Sequence, residues 1–201
     1  NMVKELIIES IDLTKAYGPH IALDSLNIQI QKGATGLLGP NGAGKSTFLK
    51  TILGLIQLTS GEGKVLGYDV RTQGNLIRQN IGYMPEYDAL NPSMDAIHQV
   101  KYSGELIGMN PSVALQRAHQ ALDYVGLGEQ RYREVESFST GMKQATKLAC
   151  ALIHDPKLII ADEPSNGLDA KAREFMLNTL DITVNEGQRS VLMASHLMDD
   201  V

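Results

Sequence analysis

Gly39-Pro40-Asn41-Gly42-Ala43-Gly44-Lys45-Ser46 matches the phosphate-binding pattern G-x-x-x-x-G-K-[ST] at every fixed position. Gly36-Leu37-Leu38, just before it, is short and apolar, as a buried strand is. Thr47-Phe48-Leu49-Lys50-Thr51-Ile52-Leu53, just after it, reads as a helix. The pattern therefore lies in the strand–loop–helix setting that gives it physical meaning. Glycines let the backbone wrap closely around a phosphate and turn successive N–H groups inward. The helix N-terminus adds partial positive charge. Lys45 is placed to reach the β- and γ-phosphates of a nucleotide, and the Ser46 hydroxyl to ligand Mg²⁺.

The rest of the chain is consistent with one domain built around that loop. Its 201 residues suffice for a real core with a small appended lobe, and 43% hydrophobic with 20% charged content is that of a soluble globular protein. A net charge of −5 argues against a nucleic-acid partner, which needs a basic footprint. No stretch approaches the ~18 apolar residues of a membrane span. Lys4, Glu5 and Glu9 break the first apolar run, so no signal peptide is expected. The single cysteine, Cys150, lies in the apolar helical stretch Leu148–Leu152 and reads as a buried, inert thiol in a reducing cytoplasm. The histidines show no metal-ligand spacing.

Outward from the loop, strands alternate with helices. Leu6-Ile7-Ile8 and Leu26–Ile30 predict early strands around a turn at Tyr17-Gly18-Pro19-His20. Gly61-Glu62-Gly63 introduces a strand at Lys64-Val65-Leu66, and Ile81–Met84 is a strand stopped by Pro85. From Met94 to Ile153 the spacing turns helical, with breaks at Met109-Asn110-Pro111 and Gly126-Leu127-Gly128. Pro111 suits a first turn and Asn110 its cap. Strand character returns at Leu158–Ala161, then a helix from about Ala170 to Glu186 stopped by Gly187, then a strand at Ser190–Ala194. The predicted fold is α/β, with a largely parallel sheet and an inserted helical lobe.

Two strand ends carry the chemistry. Leu158-Ile159-Ile160-Ala161 runs into Asp162-Glu163. Adjacent strand residues face opposite ways. Asp162 is therefore expected near Mg²⁺, and Glu163 at a different spot, where it orients or deprotonates an attacking water. Ser195-His196 ends the next strand, so the imidazole is expected at the same sheet edge, within reach of a γ-phosphate.

Phe138-Ser139-Thr140-Gly141-Met142-Lys143-Gln144 resembles the signature loop of ATP-binding cassette (ABC) ATPases, and the family's other motifs follow in its order over nearly the whole chain. Tyr17 resembles the aromatic that stacks on adenine. Glu86, after Tyr83-Met84-Pro85, stands at the loop that usually carries a glutamine. Asp162-Glu163-Pro164-Ser165 resembles the acidic strand and its exit, Asn166-Gly167-Leu168-Asp169 the dimer-contact loop, and His196 the switch histidine. The sub-pattern is similar to bacterial exporter ATPases whose membrane subunits are separate chains.

What the resemblance implies is specific. The fold is a phosphate-loop, RecA-like core with an N-terminal antiparallel β region and a helical subdomain. Residues 2–93 form the first part of the core, 94–153 the helical subdomain with the signature loop, and 154–201 the second part, truncated at its C-terminus. ATP is held by Tyr17, Gly39, Pro40, Asn41, Gly42, Ala43, Gly44, Lys45, Ser46, Thr47, Glu86, Ser139, Gly141 and Asp169. Mg²⁺ is held by Ser46, Glu86 and Asp162, and Glu163 and His196 are catalytic. With one phosphate loop and one signature loop, two sites are completed only by head-to-tail pairing with a second cassette, a homodimer being expected. The pair drives a separate integral-membrane permease from the inner face of the membrane. The alternative is a soluble cassette ATPase of translation, DNA maintenance or cofactor assembly. The chain departs from the family pattern at Glu86, Thr140, Met142 and Ala145, the last where a basic residue often stands.

Overall fold

The computed structural model describes residues 5–185 and 188–200. The expected core limits at Met2 and Val201, and the helix stop at Glu186 and Gly187, lie outside them. In chain order the elements are β1 (Leu6–Tyr17), β2 (His20–Gln31), β3 (Ala34–Leu38), α1 (Lys45–Ile52), β4 (Ser60–Val65), β5 (Tyr68–Asp69), α2 (Gly74–Asn80), β6 (Ile81–Met84), α3 (Ala96–Leu106), α4 (Pro111–Tyr124), α5 (Thr140–Leu152), β7 (Leu158–Asp162), α6 (Ala170–Asn185) and β8 (Ser190–Ser195).

They form two four-stranded sheets, one in the order β2-β1-β4-β5 and one in the order β3-β8-β7-β6. The first is antiparallel and the second parallel. In β7, Leu158 and Ile160 enter one hydrophobic cluster while Ile159 and Ala161 enter another; in β8, Leu192 and Ala194 oppose Val191 and Met193 in the same way. Both faces of the parallel sheet are thus covered, which is why these strands read as unbroken apolar runs rather than as alternation. One cluster adds Phe48, Leu49 and Ile52 of α1 and Ile8, Leu13 and Val65 of the antiparallel sheet. The other adds the inner faces of α3, α4 and α5, including Val100, Leu122 and Leu148.

The helical lobe is capped at α4 as its sequence predicts, and α3 has a cap that the sequence reading did not name. Asn110 accepts from Ser112 N at 3.0 Å with Pro111 in the first turn, and Asp95 caps α3 through His98 N at 2.9 Å. Three features differ from expectation. The β1–β2 hairpin turns at Gly18-Pro19, with Tyr17 opposite His20, but both strands run much further than their apolar cores. Repeated register shifts and left-handed residues at Asp12 and Ser25 break the alternation that would have revealed them. The short helix α2 buries only Ile77 and so carries no helical period. Cys150 is half-buried rather than buried, although its enclosed thiol is pushed up to about 11 by desolvation, which keeps it inert.

Candidate active site

The parallel register places three strand ends side by side. Leu38 pairs with Ser195, and Ala194 with Asp162. The next residues, Gly39, His196 and Glu163, therefore leave the sheet at one edge. β8 lies between β3 and β7, so the phosphate-loop strand and the acidic strand are separated by the strand that carries His196. Gly39 N donates to Ser195 O at 3.3 Å, which ties the start of the phosphate loop to that middle strand.

The loop wraps a cavity of about 510 Å³ lined by Pro40–Thr47, Glu86 and Glu163, and closed on one side by His20, Ile21 and Ala22 of β2. At its centre two opposite charges meet. Lys45 Nζ lies 3.4 Å from Glu163 Oε1, both side chains being less than a tenth exposed, and it also donates to Gly39 O at 2.5 Å and Pro40 O at 3.2 Å. His196 Nδ1 is 2.7 Å from Glu163 Oε2. An ionised carboxylate only accepts, so Nδ1 is the donor there, and Nε2 carries a proton only in the imidazolium. Glu163 thus sits between the phosphate-loop cation and the histidine.

The two acids are not separated by strand alternation. β7 ends at Asp162, and Glu163 takes φ +52° with its N–H donating to Ala194 O at 2.9 Å. A left-handed non-glycine residue costs about 1–3 kcal/mol and persists only where its surroundings hold it. Here the Lys45 and His196 contacts do so. The bend, not the pleat, turns Glu163 into the cavity.

Asp162 is buried, and desolvation pushes its carboxyl up, with Glu86 and Glu163 adding to the rise against hydrogen bonding from Ser46 and the charge of Lys50. Its Oδ1 is buried without a hydrogen-bond partner among the described residues, whereas Glu163 Oε1, also without a hydrogen bond there, lies 3.4 Å from the Lys45 ammonium. An unpartnered carboxylate oxygen beside a serine hydroxyl is the donor chemistry of Mg²⁺, which takes few protein ligands and completes its shell with phosphate and water. Among the described residues no group of three or more His, Cys, Asp or Glu side chains converges as a cage, so an ion here would depend on oxygens the nucleotide brings.

The remaining expected residues fall outside this cavity. Tyr17 is half exposed beside the hairpin turn, with Lys15 Nζ 4.6 Å from its ring centroid, and does not line the cavity. Ser139, Gly141 and Asp169 line a different hollow of about 520 Å³, together with Phe175 and Met176. Ser139 caps α5, and Asp169 accepts from Ala172 N at 2.8 Å at the start of α6. Ala145 is buried in that hollow's wall, and the basic side chains of α5 are Lys143 and Lys147 instead. His20, Ile21 and Ala22 were not anticipated as lining residues. Their signal lies at Gly44, where a Cβ would stand 2.7 Å from Ala22 O. A glycine obligatory for fit against β2 marks β2 as a wall of the site.

A parallel sheet with its phosphate loop, acidic strand end and histidine on one edge, and a helical lobe inserted between them, defines a phosphate-loop ATP-binding cassette. The chain belongs to the ABC transporter family, whose model matches residues 23–166. It is similar to the linearmycin resistance ATP-binding protein LnrL of Bacillus subtilis, at 37% identity over 97% of this chain and 63% of that protein. It is also similar to the Nod factor export ATP-binding protein I of Cupriavidus metallidurans, at 33% over 96% and 64%. The chain thus spans less than two thirds of the length of these relatives. Among solved structures, a dimeric ATP-binding cassette in a post-hydrolysis state bound to ADP and Pi superposes with a TM-score of 0.86 at 25% identity, covering 96% of this chain and 90% of that one.

Proposed function

We propose that this chain is the ATP-binding and ATP-hydrolysing part of an exporter-type ABC transporter, working as one member of a head-to-tail pair. The observation that carries the reading is the meeting of Lys45 and Glu163 in the phosphate-loop cavity, with His196 behind them on the other oxygen of Glu163, while Ser139, Gly141 and Asp169 line a separate hollow. One chain holds two half-sites, and a two-fold pair completes both.

In this reading Gly39–Thr47 cradle the phosphates, Lys45 leaves its carbonyl partners for the β- and γ-phosphates, and the Tyr17 hairpin takes the adenine. Ser46, Asp162 and Glu86 would hold Mg²⁺, which when bound neutralises charge on the phosphates. Glu163 accepts the proton of the attacking water as its oxygen bonds to the γ-phosphorus and ADP leaves. His196 orients Glu163 through Nδ1 and, as the imidazolium, donates from Nε2 to the terminal phosphate. The tip of α5, with Ser139 and Gly141, meets the γ-phosphate held by the partner, and Asp169 lies across the pair. The core is formed by 2–93 and 154–201 and the helical subdomain by 94–153.

The relatives' printed roles in resistance, export and transport support coupling to an integral-membrane permease at the inner membrane face. No helix among the described residues is long and apolar enough to cross a membrane. Phosphate release from Mg-ATP by the purified full-length protein, with co-purification of a hydrophobic membrane subunit, is the expected result. No turnover, or capture of ribosomes or DNA instead, would overturn it.

A further inference from the structure

The loop that carries Glu86 leaves β6 at Met84 and enters α3 at Ala96. Its first three carbonyl groups converge on one side chain from another part of the chain. Lys147 Nζ donates to Pro85 O at 2.8 Å, to Glu86 O at 3.3 Å and to Tyr87 O at 3.3 Å. An ammonium has three donors, and here all three are used on consecutive carbonyls. Lys147 is only 5% exposed. It belongs to α5, eight residues beyond the Ser139 cap, or about 12 Å at 1.5 Å per residue. One turn nearer Ser139 and on the same helical face, Lys143 Nζ lies 3.6 Å from Asp88 Oδ2. A single face of α5 therefore grips the Glu86 loop at two points, one buried and one at the surface.

We infer that Lys147 is a positioning residue that couples the Glu86 loop to the Ser139 helix, so that the placement of Glu86 at the nucleotide cavity and of Ser139 at the tip of α5 is set together. The inference rests on the proposed function for what Glu86 and Ser139 do, and on the three hydrogen bonds for the coupling itself. The chemistry favours a tether over a surface contact. Burial lowers the ammonium's pKa, and the carboxylates of Asp88, Glu86 and Asp162 act to keep it charged. A buried cation with three carbonyl acceptors is far harder to pull apart than the exposed Lys143–Asp88 pair. Loss of the ammonium leaves three loop carbonyls without their shared donor, and the loop and helix then move independently.

The test uses the full-length protein as wild type, Lys147→Met, Glu86→Gln and the double variant. Lys147→Met is expected to lower kcat for Mg-ATP by about 10–100-fold, the scale for losing a group that orients a ligating residue. Affinity for a fluorescent ATP analogue should change by less than about threefold, and the double variant should be no more than about twofold slower than Glu86→Gln alone. Wild-type kcat in Lys147→Met, or losses that multiply in the double variant, would overturn the coupling. Should Lys147→Met fail to fold, wild-type protein labelled with ¹⁵N at lysine Nζ decides. One ammonium resonance should be protected from solvent exchange, be absent from Lys147→Arg, and move when Mg-ATP is added. No protected resonance, or one indifferent to Mg-ATP in a protein that binds it, sinks the inference. Wild-type protein that neither binds nor hydrolyses Mg-ATP would instead sink the proposed function, while the protected resonance without nucleotide would still report the tether.

Discussion

Two helix N-termini, those of α1 and α5, are built in opposite ways. α1 begins after Gly44, at φ +88°, with no side-chain cap, and opens into a cavity containing a buried lysine and glutamate. α5 begins after Ser139, whose hydroxyl accepts from Met142 N at 3.3 Å, and its first residues face solvent. An uncapped tip leaves its first donors for whatever enters the cavity. A capped tip is stable in water and presents a finished surface. In the proposed pair, the first is half of a site assembled within one chain, and the second meets the nucleotide held by the other.

The largest effect should come from the assembled side. Glu163→Gln keeps the size of the side chain, but an amide is too weak a base to accept a proton from water. Turnover of Mg-ATP should fall by about 10²–10⁴-fold while nucleotide binding persists. Size measurement in ATP and Mg²⁺ should then show a trapped pair. A variant that hydrolyses at the parent rate would take the water-activating role away from Glu163. Gly44→Ala comes next. The new Cβ would meet Ala22 O at 2.7 Å and Leu23 Cδ2 at 3.2 Å in a left-handed backbone, and although the leucine methyl can give way, the backbone carbonyl cannot move away cheaply. A loss of about 3 kcal/mol in folding stability and of nucleotide binding is expected. An unchanged melting temperature would mean that β2 does not form the wall of the phosphate loop.

A smaller effect, of known sign, separates the metal from the fold. Burial raises the Asp162 carboxyl above its unfolded value. The nucleotide-free protein is therefore penalised once pH exceeds the unfolded value, increasingly so until the raised folded value is passed, and the penalty is relieved in acid. Asp162→Asn should melt higher than wild type at pH 7, with the gap closing as pH falls, and should lose the Mg²⁺ dependence of nucleotide binding. A variant that melts lower at pH 7 would show that the carboxylate is stabilised in the free protein.

How much of this was legible in the sequence follows from how local each cause is. Gly39–Ser46 and the run Leu158–Asp162 declare themselves, because glycine spacing and doubly buried strands are local properties. The bend at Glu163 is not local: it is held by Lys45 and His196, residues 118 positions before and 33 after it. Strand alternation therefore gave the right cavity by the wrong geometry. Lys147 reads as one more polar residue in an otherwise apolar helix, and only the folded loop at Pro85–Tyr87 reveals its partners. The β1 and β2 extensions were hidden by bulges, and the cavity wall at His20–Ala22 with them.

Tyr17→Ala tests the far end of the assembled side. The ring lies outside the cavity lining, beside the hairpin turn with Lys15 over its face, so its proposed role is at the base rather than at the phosphates. A loss of about 1–3 kcal/mol in ATP affinity is expected, the scale of base–aromatic stacking, with inorganic triphosphate binding untouched. Equal losses for both ligands would place Tyr17 in the hairpin's stability instead.

The smallest change in folding belongs to the unassembled side, and it separates the two tips most sharply. Ser139→Ala removes the α5 cap and should cost about 1 kcal/mol of stability. Gly141→Ala adds a Cβ whose one tight contact is Ala172 Cβ at 3.3 Å, with Leu168 Cδ2 at an ordinary 3.9 Å, inside a helix where alanine is preferred by up to about 1 kcal/mol, so its melting temperature should stay close to wild type. Both variants should bind Mg-ATP normally, because neither residue lines the phosphate cavity. Placed in the Glu163→Gln background, however, both should abolish the nucleotide-driven pair seen by size measurement. If Gly141→Ala still paired fully, the tip of α5 would be a capped helix end and nothing more, and the second half of the site would have to be sought elsewhere on the chain.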